Sequence, residues 1–333
     1  MRVLVFTNMY PCADAPFYGS FVSDEVGALR ARGVEADVYF VNGRADKLAY
    51  LAMPAGFAAR MRRARYDVVH VHHSFCGLVA TMQRRVPVVW TFHEGEISRG
   101  GAAAARGDRP VKRLAYSRRL KRFVARRADA VIVVAAHLAA PLGRADAIHL
   151  PSGIDTTGFA PMDAAEAKRR LGFDPARRYV LFPSTPARPE KRFDLARAAV
   201  DAYRAAAGGA GDDVALVCLE DVPHEDVPLY MNASELLLMT SAFEASPVTI
   251  REALSCNVPV VSTDVGDAKI VLDGIEGCYI VEPDPARIAE ALGRALAGAR
   301  RVASRERMAA FSLEQTAGRL VEIYREIMER RQR

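Results

Sequence analysis

The chain has 333 residues, 50% of them hydrophobic and 26% charged, which suits roughly two domains of about 150 residues, each with its own core. No stretch of about 18 apolar residues occurs, so no membrane-spanning helix is expected, and the apolar run at residues 3–6 is too short for a secretory signal. The net charge of +6 hides an asymmetry: residues 1–152 carry 23 Lys and Arg against 12 Asp and Glu, and residues 153–333 carry 23 against 28. A basic half joined to an acidic half predicts that one lobe faces an anionic partner.

Strand-like and helix-like segments alternate, the pattern of doubly wound α/β sheets. Residues 2–7 form a first apolar strand. A Pro-, Asp- and Gly-rich loop follows at 10–19, then a helix from Ser20 to Arg32 that closes at Gly33. Ser20 can cap that helix, and Gly19 permits close backbone approach. Strands are expected at 36–41, 68–71, 86–92 and 130–134. Pro151-Ser152-Gly153-Ile154-Asp155 interrupts the pattern as a hinge would. It restarts with a strand at 179–183, a helix at 193–207, and strands at 214–219, 235–239, 258–262 and 278–281. Helices follow at 285–299 and 313–333, the last with Leu320, Ile323, Tyr324 and Ile327 at helical spacing. The expected division is 1–152, 153–312 and a final helix 313–333. No Gly-x-Gly-x-x-Gly follows any strand, which argues against a nicotinamide-binding dehydrogenase.

The five cysteines, Cys12, Cys76, Cys218, Cys256 and Cys278, are widely spaced with no Cys-x-x-Cys. They read as free thiols in a reducing cytosol, and no metal site is expected. His70, His72 and His73, with no acidic neighbour in sequence, read as a polar rim at a strand end.

Phe243-Glu244-Ala245-Ser246-Pro247-Val248-Thr249-Ile250-Arg251-Glu252-Ala253-Leu254 is the most informative stretch. It sets two carboxylates eight residues apart across a loop that enters a helix, between apolar runs at 236–239 and 258–263. The first N–H groups of a helix lack partners, and the dipole favours negative charge there, so Ser246, Pro247, Val248 and Thr249 outline an anion site. Glu244 falls before the helix and Glu252 about two turns inside it, each able to accept from ligand hydroxyls. A phosphate flanked by polyol groups describes a nucleotide sugar. Arg188, Lys191 and Arg192 follow the first strand of the second lobe. Cations are unfavourable at a helix start unless an anion joins them.

The phrase Thr240-Ser241-x-x-Glu244-x-Ser246-Pro247-x4-Glu252-Ala253, with the strand Val258-Pro259-Val260-Val261, resembles the retaining nucleotide-sugar glycosyltransferases of family 4. The resemblance extends along most of the chain. It implies an α/β, GT-B fold: two Rossmann-like doubly wound domains facing a cleft, the nucleotide held by the second domain and the last helix returning to the first. It gives Arg188 and Lys191 the donor diphosphate, although Pro186 stands where the family's Arg falls and Arg192 competes. It gives Glu252 the ribose hydroxyls, Glu244 the donor sugar, His93 a contact near that sugar, and Gly19 a loop beside the diphosphate. Ala245 replaces the glycine of many relatives. The implied chemistry is transfer of a hexose or N-acetylhexosamine from a UDP- or GDP-linked donor to a hydroxyl acceptor. It proceeds by same-face attack with the leaving phosphate taking the acceptor's proton, without a metal or other cofactor, in cell-surface glycan or secondary-metabolite glycosylation. The alternatives are a noncatalytic nucleotide-sugar-binding or membrane-associated scaffold and a GT-B nucleotide-sugar 2-epimerase.

Residues Arg109, Lys112, Arg113, Arg118, Arg119, Lys121, Arg122, Arg126 and Arg127 form a basic run, with Leu114, Leu120, Phe123 and Val124 interleaved at helical spacing. Such a helix is either a solvated face packed by its apolar stripe or a platform for anionic lipid. The expected location is the cytosol, with peripheral docking on the inner face of the membrane left open. No aromatic stacking platform accompanies the charge, so nucleic acid is not an expected partner.

Overall fold

In the computed structural model, which describes residues 1–16, 18–93, 117–298 and 301–333, every pairing between strands is parallel. The chain divides into two units, Met1–Gly153 with Leu313–Arg333, and Ile154–Ser312.

The first unit runs β1 (Arg2–Thr7), α1 (Ser20–Ala31), β2 (Glu35–Phe40), α2 (Ala49–Arg63), β3 (Val68–Val71), α3 (Ser74–Ala80), β4 (Val88–Phe92), α4 (Arg118–Arg127), β5 (Ala130–Val133) and β6 (Ile148–His149). Its sheet has the order β2-β1-β3-β4-β5-β6. β3, β4 and β5 are buried along their whole length, as expected of parallel strands covered by helices on both faces. The order reverses between β1 and β3, so the loops after these two strands flank a crevice at the carboxyl ends.

The second unit runs α5 (Ala164–Leu171), β7 (Arg178–Phe182), α6 (Phe193–Ala207), β8 (Val214–Cys218), α7 (Val227–Ala233), β9 (Leu236–Met239), α8 (Val248–Ser255), β10 (Val260–Thr263), α9 (Ala268–Leu272), β11 (Tyr279–Val281) and α10 (Pro285–Ala297). Its sheet order is β11-β10-β9-β7-β8. Here the reversal lies between β7 and β9, where Val180 pairs with Leu236 and Leu181 with Leu237.

α11 (Leu313–Gln332) belongs to the first unit. Leu320, Ile323, Tyr324 and Ile327 pack among Val22, Val26 and Leu29 of α1 and are all nearly inaccessible. Burying one such side chain is worth about 1.5–3 kcal/mol. Arg331 fixes the far end, donating to both carboxylate oxygens of Asp129 at 2.9 and 3.0 Å.

Four sequence expectations change. Ser20 does not cap α1: Gly19 occupies the N-cap with φ 73° and no side chain caps the helix. A Cβ on Gly19 would meet the Met9 carbonyl carbon at 2.4 Å, so glycine is required by the chain's own backbone. α2 had no visible signal, since Pro54 lies inside it and proline normally breaks a helix; its buried Met53 and Phe57 hold it to the core. In α4, Phe123 faces outward while Lys121 is buried, its ammonium 5.2 Å from the Phe92 ring centre. Val124 takes the inner position because α3 offers it Gly77, where a Cβ would stand 2.6 Å from a Val124 methyl. Arg109, Lys112, Arg113 and Leu114 lie outside the described residues. Finally, His70 and His72 are not a rim: both are buried, beside a carboxylate that sequence distance concealed.

Among the described residues no helix is long and apolar enough to cross a membrane. All five cysteines are free, and burial pushes the Cys256 thiol up to about 12 and Cys278 to about 11.

Candidate active site

The loops that leave β7 and β9 meet at the switch point of the second sheet, where open α/β sheets bind ligands. They are tied by backbone and hydroxyl bonds. Thr240 Oγ1 donates to the carbonyls of Lys191 (3.0 Å) and Arg192 (2.9 Å). Ala242 N donates to the Glu190 carbonyl at 2.8 Å. Thr263 Oγ1, at the end of β10, donates to the Ser241 carbonyl at 2.8 Å.

This frame brings Lys191 onto Glu244. Lys191 Nζ lies 2.5 Å from Glu244 Oε1, and Ser241 Oγ donates to the same oxygen at 2.7 Å. Both side chains are mostly enclosed, 15% and 18% exposed, where a charge pair is screened less than at the open surface. Arg188 does not join them. Its side chain is 54% exposed and pairs with Glu190 Oε1. Burial raises the Glu190 carboxyl, but its own backbone N–H first, then the Arg188 contact and the nearby Lys191, together hold it below its ordinary range. Arg192 turns through φ 56° to start α6 and pairs with Asp194 at 3.3 Å.

α8 begins at Val248 behind Pro247, with no side chain capping it. Pro247 has no N–H, so Ser246, Val248 and Thr249 are the residues of the expected cradle that carry an amide. Glu252 is the fifth residue of α8, a little over one turn inside rather than two, and it is buried. The loop before α8 rests on a buried polar group that sequence reading missed. Arg251 donates to Ser246 Oγ at 2.8 Å and to Asp267 Oδ2, and Ser246 Oγ in turn donates to Asp267 Oδ2 at 3.0 Å. Arg251 is 1% exposed and Asp267 5%. A charged residue between Ile250 and Leu254 was the available signal, because every position from 250 to 255 is buried. Gly266, at φ 60°, lets this loop pass the Ala245 carbonyl: a Cβ there would stand 2.7 Å from its oxygen.

In the first unit, His93 follows β4 with its ring 4.8 Å from Phe21 and 5.3 Å from His72, centre to centre. His93 Nε2 and His72 Nδ1 are 3.0 Å apart. Burial above all, then the neighbouring His72, pulls the His93 imidazole down to about 3, with Glu25 acting weakly the other way. His93 is therefore neutral at physiological pH. His70 is lowered well below its usual value, again chiefly by burial. Gly19, at the foot of the loop after β1, meets the Met9–Tyr10 backbone.

Residues 2–158 match the family model described as Glycosyltransferase Family 4, and residues 188–298 match Glycosyl transferases group 1. A D-inositol 3-phosphate glycosyltransferase 1 of Catenulispora acidiphila is 29% identical over 335 residues, spanning 85% of this chain and 78% of the relative. The lipopolysaccharide core biosynthesis mannosyltransferase LpsB of Rhizobium meliloti is 29% identical over 240 residues, spanning 62% and 68%. Among solved structures, a sucrose-phosphate synthase from Thermosynechococcus elongatus superposes with a TM-score of 0.79 at 19% identity, covering 99% of this chain and all of that one. An Anabaena HepE in complex with UDP gives 0.71 at 15% identity, covering 98% and 100%. These two structural likenesses concern the fold.

Proposed function

The chain belongs to the glycosyltransferases of family 4, with the GT-B fold, and on that premise we propose that it moves a hexose or N-acetylhexosamine from a UDP- or GDP-linked donor to a hydroxyl acceptor, with retention at the anomeric carbon and no required metal. The observation that carries this reading is the Lys191–Glu244 pair at the β7/β9 switch point, beside the uncapped start of α8. As the glycosidic bond breaks, negative charge grows on the nucleoside diphosphate. A fixed ammonium and helix N-terminal amides stabilise that charge more than the ground state, which is what accelerates a reaction. Glu244 holds Lys191 in place and accepts from sugar hydroxyls, Glu252 takes the ribose hydroxyls, and His93 meets a hydroxyl of the transferred sugar. Arg188, exposed and loosely paired, swings to the diphosphate when the donor binds. The leaving phosphate, rather than a carboxylate, accepts the acceptor's proton.

The test is a panel of nucleotide sugars screened by thermal shift, since a donor stabilises the folded state by mass action, followed by assay of nucleotide release. Turnover that depends on Lys191 and Glu244 supports the reading. No stabilisation by any UDP- or GDP-sugar, or turnover indifferent to both side chains, rejects it.

A peripheral membrane role is proposed alongside. Arg118, Arg119, Arg122 and Arg126 are exposed on α4 together with Phe123, a cationic face with an aromatic that suits an anionic lipid surface.

A further inference from the structure

His93 does not stand alone. Behind it, at the carboxyl ends of β3 and β4, lies a buried file of polar side chains. His72 Nδ1 is 3.0 Å from His93 Nε2, and His72 Nε2 is 3.3 Å from Glu25 Oε1. His72 is fully buried and the Glu25 side chain 12% exposed. Among the described residues neither His72 Nε2 nor Glu25 Oε1 has an aligned hydrogen-bond partner, so each is a buried polar atom whose nearest complement is the other, at ion-pair distance. His70 lies alongside, with Thr91 Oγ1 2.7 Å from its Nε2, Tyr324 Oη 2.7 Å from its Nδ1, and Glu25 Oε1 at 3.4 Å.

Glu25, His70 and His72 bring their ligand atoms within 4.8 Å of one another, as a metal centre would. The hydrogen bonds say otherwise. Both nitrogens of His70 are engaged, by a threonine and a tyrosine hydroxyl, which leaves no lone pair for a cation.

We propose that Glu25 and His72 are positioning residues that fix the tautomer of His93, leaving its Nδ1 unprotonated as an acceptor for a hydroxyl of the bound sugar. A carboxylate only accepts, so His72 must turn its Nε2–H toward Glu25. His72 Nδ1 then carries a lone pair and accepts from His93 Nε2–H. A neutral imidazole has one N–H, so His93 Nδ1 is bare. The opposite arrangement would face a His72 lone pair with a carboxylate oxygen at 3.3 Å in a buried place, two acceptors with no proton between them, which is costly. The hydrogen bond made by one ring nitrogen thus dictates what the other can do. The inference rests on the reading that His93 meets the sugar. It adds the direction of that bond: the sugar donates and His93 accepts.

The experiment is long-range ¹H–¹⁵N correlation NMR on the full chain labelled at histidine, with the His93 signal identified by its loss in His93→Gln. The expected spectrum has His93 protonated at Nε2 and unprotonated at Nδ1. Glu25→Leu, which removes the acceptor, should mix the His93 tautomers and lower kcat about tenfold or more with a smaller change in donor KM. Glu25→Gln, whose amide oxygen still accepts, should restore most of both. His72→Phe is the second variant should Glu25→Leu fail to fold, with the same expectation. A proton on His93 Nδ1 in the unmodified protein, or a His93 tautomer that ignores both variants, overturns the inference, as does a metal ion co-purifying in stoichiometric amount with the three-residue cluster. The spectrum needs no turnover. A predicted tautomer combined with full activity in His93→Gln would instead reject the sugar contact, so the two failures are distinguishable.

Discussion

Lys191 and Glu244 come from loops 53 positions apart in sequence and meet at 2.5 Å, with Ser241 sharing the same carboxylate oxygen at 2.7 Å. The carboxylate is satisfied on one side by a cation and a hydroxyl, so Lys191 is held rather than sampled. A cation fixed before the reaction costs no reorganisation when charge develops beside it.

Lys191→Ala should therefore lower kcat by about 10²–10³-fold, the loss typical of removing one preorganised charge stabiliser. Glu244→Ala should cost a similar factor, and the double variant less than the product of the two, because the residues act as a unit. Single-turnover assays of nucleotide release check this. Strictly multiplicative losses would show that the pair does not work together.

Gly266→Ala probes the loop beneath the proposed phosphate site. The substitution puts a Cβ into a left-handed conformation and 2.7 Å from the Ala245 carbonyl oxygen, so about 1–3 kcal/mol of strain is expected. The loop before α8 relieves it by moving. Donor KM should rise more than the melting temperature falls. A variant with unchanged KM would show that this loop does not contact the donor.

Arg251→Ala leaves the buried Asp267 without its cation, facing only the Ser246 hydroxyl. Breaking such a pair costs about 3–5 kcal/mol, whereas replacing both members by apolar residues costs much less. Denaturant unfolding of Arg251→Ala, and of the double Arg251→Met, Asp267→Leu, gives the comparison. The double variant should be the more stable of the two yet weaker in donor binding, because Ser246 has lost both of its partners.

Acid should destabilise the first unit early. His93 and His70 both have folded values below the unfolded value near 6.5, so the unfolded chain takes up protons first as pH falls. Their contribution is fully present above about pH 6.5 and is lost between there and the folded value, about 3 for His93. Melting temperature against pH should fall over that window, and His93→Gln should flatten part of the slope. An identical profile in the variant would contradict the assignment.

Charge reversal at Arg118, Arg119 and Arg122 checks the lipid-facing reading of α4. Binding of the unmodified protein to anionic vesicles should weaken with salt over the range where surface charges are screened, and the triple Glu variant should lose it while nucleotide release continues. Binding unaffected by reversal removes the lipid proposal.

The sequence showed some of this directly. The Val- and Leu-rich runs of β1, β3, β4, β7 and β9 were legible because parallel strands buried on both faces leave an unbroken apolar stretch. α6 and α11 were legible by their helical period. α2 was not, with a proline in its interior, and α7 and α9 were too short to establish a period. In the site, the 240–253 phrase pointed to the loop and helix, since turn chemistry and helix ends are local. Its supports were invisible: nothing beside Arg251 names Asp267 as its partner, and nothing beside His93 names His72 and Glu25.

Local propensity and the order of apolar runs, which depend on neighbours in the chain, determined the alternating architecture and the helix start behind Pro247, and the 240–253 phrase carried the family resemblance. Tertiary structure alone decided which charges became partners. Lys191 found Glu244 because β9 lies against β7 on the side away from β8, and Glu25 found His72 because α1 and β3 share a buried face. A buried charge or imidazole takes its state from what surrounds it in space, and that surrounding exists only once the sheet order has been set.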